Sequence, residues 1–161
     1  MRRAASLAGT VLFLFVAPGT VVGYIPWRMS GWNLQMPFWG WMGFRYIGGA
    51  LIAAGLALLL ESFLRFAWIG LGTPAPAMPT QHLVVSGLYR HVRNPMYLAV
   101  AGMIVGQALL FGERNLLWYA GAVGVAAHIF VLGYEEPALR RKYGAEYDAY
   151  CRVVPRWRPI W

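Results

Sequence analysis

The sequence predicts an all-α protein: a polytopic membrane helical bundle of about four transmembrane helices, followed by a short cytoplasmic amphipathic helix near the C-terminus. Three observations predict it. Of 161 residues, 59% are hydrophobic and only 12% are charged, against about 25% charged in an ordinary soluble domain. The apolar residues fall into four long runs separated by Gly, Pro and charged punctuation. The cationic residues, whose excess gives a net charge of +8, gather at the ends of those runs rather than on a folded polar face. That clustering is a topology signal and argues against nucleic acid as a partner. The chain reads as a single membrane domain over 1–161, with two spans and a linker in 1–80 and a chemically richer half in 81–161.

The first span follows Arg2-Arg3 and runs from Ala4 to about Trp27. It is longer than the apolar core of a signal peptide and is followed by further spans. Pro18-Gly19 predicts a kink. Tyr24, Trp27 and Trp32 mark an interface belt, and the aromatic loop Gly31 to Trp41 lies along it. The second span runs from Phe44 to Ile69. Gly49, Ala53 and Ala57 recur every four residues and predict its packing face. Glu61 and Arg65 share a helical face near its end, where a structural ion pair is the simpler reading and a catalytic role the sharper one. Gly70 to Thr80 is a Gly/Pro linker.

The segment Ser86-Gly87-Leu88-Tyr89-Arg90-His91-Val92-Arg93-Asn94-Pro95-Met96-Tyr97 is polar, basic and turn-rich between apolar runs. Gly87 suits a tight turn, and Pro95 suits the first turn of the third span, 95–111. Gly102 and Gly106 form a GxxxG pair there. Gly112-Glu113-Arg114-Asn115 closes a hairpin into the fourth span, 116–134, which carries His128.

At the end of that span Glu135-Glu136 places two carboxylates at a membrane boundary, which is costly without a cationic partner: Arg93 or a ligand ammonium. Leu139, Tyr143, Tyr147 and Tyr150 recur at helical spacing, a stripe that docks a short helix on the membrane or the bundle. Pro155 and Pro159 end the chain in extended form, with Arg156 and Arg158 available to lipid phosphates or a substrate carboxylate. Arg2, Arg3, Arg65, Arg90, Arg93, Arg140, Arg141, Lys142, Arg152, Arg156 and Arg158 fall on one side of a four-span topology. Only Arg28, Arg45 and Arg114 fall on the other. Both termini are therefore expected in the cytoplasm. The compact chain suits the plasma (inner) membrane of a prokaryote. The single Cys151 reads as a reduced structural thiol, and no Cys/His spacing suggests a metal.

The residues from about Leu83 to Pro159 resemble the integral-membrane methyltransferases that include isoprenylcysteine carboxyl methyltransferase and phospholipid N-methyltransferases. The likeness is carried by Gly87-Leu88-Tyr89, Arg93-Asn94-Pro95-Met96-Tyr97, Glu135-Glu136-Pro137-Ala138-Leu139, Tyr143-Gly144 with Tyr147 and Tyr150, and Val154-Pro155. Asn94 stands where the family carries His, Ala99 where it carries Gly and Tyr143 where it carries Phe. An asparagine hydrogen-bonds but does not titrate.

The resemblance implies S-adenosyl-L-methionine as cofactor, held on the cytoplasmic side, and a lipophilic small molecule or lipid as acceptor. Leu83, Val84 and Tyr89 would line the nucleoside pocket, and Asn94, Pro95 and Tyr97 would meet the cofactor at the start of the third span. His82, Gly87 and Glu136 complete the expected cofactor-binding set. Glu135 would neutralise the positive methionine end and Arg93 would steer the acceptor's polar head, which makes these two the candidate catalytic residues. The alternatives are an NADPH-dependent membrane reductase and a small non-enzymatic four-helix membrane protein.

Overall fold

A computed structural model describes residues 14–68 and 83–160, and all its regular structure among those residues is helical. The linker 70–80 and the candidate residue His82 lie outside the described residues, as do the start of the first span and Ile69. The first helix, α1, runs through a π-helical stretch, Gly19–Tyr24, into α-helix Ile25–Ser30. Next come α2 (Gly43–Trp68), α3 (Pro95–Phe111) and α4 (Asn115–Phe130). A second π-turn, Val131–Glu135, joins α4 to α5 (Glu136–Tyr143), and α6 (Ala145–Val153) follows after Gly144.

Both π-turns have the same local cause. Each ends shortly before a proline, Pro26 or Pro137, that opens the next α-helical segment. Proline has no N–H to give to the carbonyl four residues back, and widening the helix by one residue re-registers the ladder, as Ile25 N–H to Thr20 O and Glu136 N–H to Val131 O show. The predicted kink at Pro18-Gly19 is therefore a π-turn that starts at Gly19. The carbonyls freed in α1 are met by other helices. Gln107 Nε2 of α3 donates to Val22 O at 2.7 Å, and Tyr119 Oη of α4 donates to Val21 O at 3.0 Å. Gln107 Oε1 in turn accepts from Trp32 Nε1 at 3.1 Å, so the buried amide is used on both sides. Such cross-helix repair satisfies the carbonyls that the proline leaves free.

Two helical stretches, Gly43–Arg65 (23 residues) and Asn115–Tyr143 (29 residues), are long and apolar enough to cross a membrane, and Pro95–Phe111 is a shorter apolar helix. The outward faces of the long helices remain greasy: Leu60, Leu64, Trp118, Val125 and Ile129 are all exposed. So many large apolar side chains left exposed on long apolar helices suit lipid better than water. Among the described residues, two of the four predicted spans meet the requirement on their own.

The small-residue packing face of α2 differs from the one predicted. Gly49 has open space around it, and Ala53 and Ala57 are exposed. The close approach is made by Gly48 and Gly55. A methyl added at Gly48 would lie 2.5 Å from Gly106 O of α3, and one at Gly106 would lie 2.8 Å from Gly48 O. Of the GxxxG pair only Gly106 packs; Gly102 meets nothing. Leu59, Phe63, Met103, Ile104, Leu116 and Ala120 then close a core shared by α1 to α4.

The predicted hairpin at Gly112 forms in the left-handed conformation (φ 75°). The aromatic loop docks on it through Gln35, whose N–H donates to Phe111 O at 2.9 Å and whose Nε2 donates to Glu113 at 2.6 Å. Arg45, at the start of α2, secures the same loop by donating to Gln35 O at 2.7 Å.

Candidate functional site

At the opposite end of the bundle from that loop, residues 83–97, the α4–α5 junction and α6 enclose a cavity of about 670 Å³, within the usual size of a small-molecule site. Its floor is apolar and comes from several helices: Leu59 of α2, Val100 of α3, Val123, Ala127 and Phe130 of α4. Its upper wall is aromatic and charged: Tyr89, Arg93, Tyr97, Glu135, Tyr147 and Tyr150.

The two adjacent glutamates have opposite fates. Glu136 is buried (3% exposed) and fully engaged. It accepts from Arg93 Nη1 at 3.0 Å and from Arg156 through Nε at 2.6 Å and Nη2 at 3.0 Å, with Arg140 at 3.8 Å. Buried carboxylates persist only with such partners. Glu135 lines the cavity and accepts from Tyr97 Oη at 2.9 Å. No ion pair to Glu135 is made among the described residues, and the nearby Arg93 and Arg156 are spent on its neighbour. Neighbouring side chains on a helix point about 100° apart; Glu135 closes the π-turn, and such turns recur at functional sites.

Arg93 lines the cavity while holding Glu136 and also donates to Cys151 Sγ at 3.0 Å. Its Nε is buried and has no hydrogen-bond partner among the described residues. Cys151 Sγ thus serves as an acceptor. Asn94 precedes α3 at its N-cap position, but its side chain makes no cap bond and instead donates through Nδ2 to Arg156 O at 3.2 Å. Tyr150 Oη donates to Tyr89 O at 2.6 Å. Burial pushes both phenols well above their ordinary range, so both remain protonated at neutral pH.

Of the candidates named from sequence, Leu83, Val84, Tyr89, Arg93, Asn94, Tyr97, Glu135 and Glu136 all line this cavity. Gly87 does not; its left-handed backbone (φ 59°) turns the chain against the Arg65 guanidinium, where a side chain would collide. Pro95 is buried as the first residue of α3 and lies off the cavity wall. Arg65 pairs with Glu61 and donates to Ser86 Oγ at 3.2 Å, so this pair tethers the end of α2 to the turn. His128 accepts from Trp157 Nε1 at 3.0 Å. Arg156, expected to meet lipid or substrate, is instead a structural partner of Glu136.

The stripe Leu139, Tyr143, Tyr147 and Tyr150, expected to dock a helix, faces the cavity in full. It also spans two helices, because Gly144 (φ 53°, ψ −126°) breaks the predicted single one.

A profile of the phospholipid methyltransferase family matches residues 44–146. The chain belongs to the phospholipid methyltransferase family. No curated protein matches it closely. The matched stretch runs from the start of α2 into α6 and so contains Tyr97, Arg93 and both glutamates. A membrane methyltransferase of this family is thereby the frame for the cavity. α1 and the tail beyond α6 lie outside the matched stretch, yet Pro18 and Val21 of α1 line the cavity too.

The wall residues that sequence reasoning missed include Met96 and Val100 on α3, Val123, Ala126, Ala127 and Phe130 on α4, Val131 at the start of the π-turn, and Lys142 on α5. The spacing of three and four residues on α3 and α4 is helical. On helices apolar all round, however, periodicity does not mark one face over another.

Proposed function

We propose that the chain is an S-adenosyl-L-methionine-dependent methyltransferase acting at the cytoplasmic face of the membrane on a lipophilic acceptor, of the phospholipid-amine or isoprenylcysteine-carboxylate kind. The observation that carries this reading is Glu135: a cavity-lining carboxylate that accepts from the Tyr97 hydroxyl and has no ion pair among the described residues. Such a group calls for a positively charged ligand. The four-span topology, with α1 and α3 as the remaining spans and the cavity end cytoplasmic, belongs to the same proposal and follows the positive-inside rule.

The residues present fit the cofactor. Glu135 offers an acceptor for its ammonium, and the Arg93 guanidinium, on the wall of the same cavity, offers a positive partner for its carboxylate. Tyr89 and Tyr150, with Leu83 and Val84, offer aromatic and apolar wall for a nucleoside. Bound there, S-adenosyl-L-methionine supplies a methyl group already activated by its sulfonium. What remains for the protein is alignment and exclusion of water. Glu135 and Tyr97 fix one polar end through their mutual hydrogen bond. Arg93, braced on Glu136, fixes an anionic group. Val100, Val123 and Phe130 keep the reacting region dry and admit a lipid chain between helices.

The test is melting of the detergent-purified chain with S-adenosylhomocysteine and, in parallel, with NADPH. Ligand at about a hundred times its Kd stabilises by about 2.7 kcal/mol, roughly 5–10 °C for a chain of this size. Stabilisation by S-adenosylhomocysteine that is lost in Glu135→Gln is expected. A shift with NADPH alone, or none with S-adenosylhomocysteine, would overturn the reading.

A further inference from the structure

Beyond α6 the chain turns extended at Val154 and runs back across the start of α3 as a strap. Arg93 N–H donates to Pro155 O at 2.9 Å, Asn94 Nδ2 to Arg156 O at 3.2 Å, and Ile160 N–H to His91 O at 3.0 Å. His91 Nδ1 lies 2.6 Å from Ile160 O, a pairing that requires the ring proton on that nitrogen because a carbonyl only accepts. The Arg156 fork on Glu136 adds a further anchor. The strap lies outside the family-matched residues.

Held by these anchors, Trp157 touches the site without lining it. Its ring stands edge-on to Tyr97, with centroids 6.3 Å apart and planes at 69°. Its Nε1 donates to His128 Nδ1 at 3.0 Å, which fixes the indole against α4. Tyr97 is in the first turn of α3, and its hydroxyl is the group that orients Glu135.

We propose that Trp157 is a positioning residue for the reaction. It braces the Tyr97 ring between strap and bundle, so that the Tyr97 hydroxyl stays on Glu135. Without the indole the Tyr97 side chain gains rotamer freedom, and Glu135 loses its fixed orientation. This inference rests on the reading of Glu135 as the ligand's cation partner.

The experiment is a double-mutant cycle on the full-length, detergent-purified chain, reading the Kd of S-adenosylhomocysteine by titration calorimetry. Trp157→Ala is expected to weaken binding about five- to tenfold, in line with an aromatic pair. In a Tyr97→Phe background, where the hydroxyl is already gone, the same substitution is expected to change Kd less than about twofold. Should Trp157→Ala fail to fold, Trp157→Phe, which loses the His128 bond, makes the same comparison. Its expected effect is about threefold in the wild-type background and none beside Tyr97→Phe. A wild-type Kd in the Trp157 variant, or an equal loss in both backgrounds, would overturn the inference, because a role confined to holding the fold gives additive effects. A wild-type chain with no affinity for S-adenosylhomocysteine would overturn the functional reading itself, and this inference with it.

Discussion

Replacing Arg156 with methionine removes the guanidinium from Glu136 but keeps the aliphatic stem. Two bonds are lost, from Nε at 2.6 Å and Nη2 at 3.0 Å, onto a carboxylate whose side chain is 4% exposed. Hydrogen bonds to charged groups contribute about 1.5–3 kcal/mol each. Stranding a buried charge altogether costs about 3–5 kcal/mol. Neither figure applies in full. Arg93 stays on Glu136 at 3.0 Å, and the Arg156 side chain is itself 29% exposed, so water already meets part of it. A destabilisation of about 2–3 kcal/mol follows. That lowers the melting temperature of the purified chain by roughly 4–12 °C.

Arg156→Lys keeps the charge without the two-pronged geometry and should fall between. Arg140→Met is the control: its guanidinium stands 3.8 Å from the same carboxylate and pairs with the exposed Asp148, so its melting curve should stay close to wild type. An Arg156→Met curve that overlays the wild type, or matching losses for Arg140 and Arg156, would refute the assignment of Arg156 as the carboxylate's main outer partner.

Gln107→Leu should destabilise by about 1–3 kcal/mol, because it orphans the Val22 carbonyl and the Trp32 indole N–H. Thermal melts check the loss, and S-adenosylhomocysteine affinity should hold, since this network lies away from the cavity. Stability should also fall in alkali. Burial, then the neighbouring Tyr147, raises the Tyr150 phenol above its ordinary 10.0. The folded state therefore holds this proton more tightly than the unfolded state. Its contribution is intact below pH 10 and lost as pH rises further. Melts from about pH 8 to pH 11 should show the decline, with a shallower slope in Tyr150→Phe.

The same geometry bears on Arg93. Read from sequence as the residue that steers an acceptor, it is also a brace for Glu136. A loss of turnover in Arg93→Ala would therefore mix a binding defect with a stability defect, and unliganded melting separates the two.

Element boundaries were largely legible in the sequence because local signals control them. Pro95 opens α3, Gly112 ends it, and charged or aromatic residues bracket the apolar runs. The chemistry of the site was legible too, since Arg93, Tyr97, Glu135 and Glu136 are conspicuous in so apolar a chain. Three-dimensional packing decided the rest. Gly48 faces α3 where Gly49 was expected, since helices apolar all round carry no moment to fix their rotation.

Only the folded arrangement assigned Glu136 to Arg93 and Arg156 and left Glu135 without an ion pair among the described residues. The two residues are identical in type and adjacent in sequence, and their surroundings differ because Arg93 and Arg156, the latter from 20 residues away, meet Glu136 while Tyr97 meets Glu135. Local composition determines where a helix starts and stops. Which of its faces meets which partner depends on close packing between distant segments, and no residue in those segments encodes it alone.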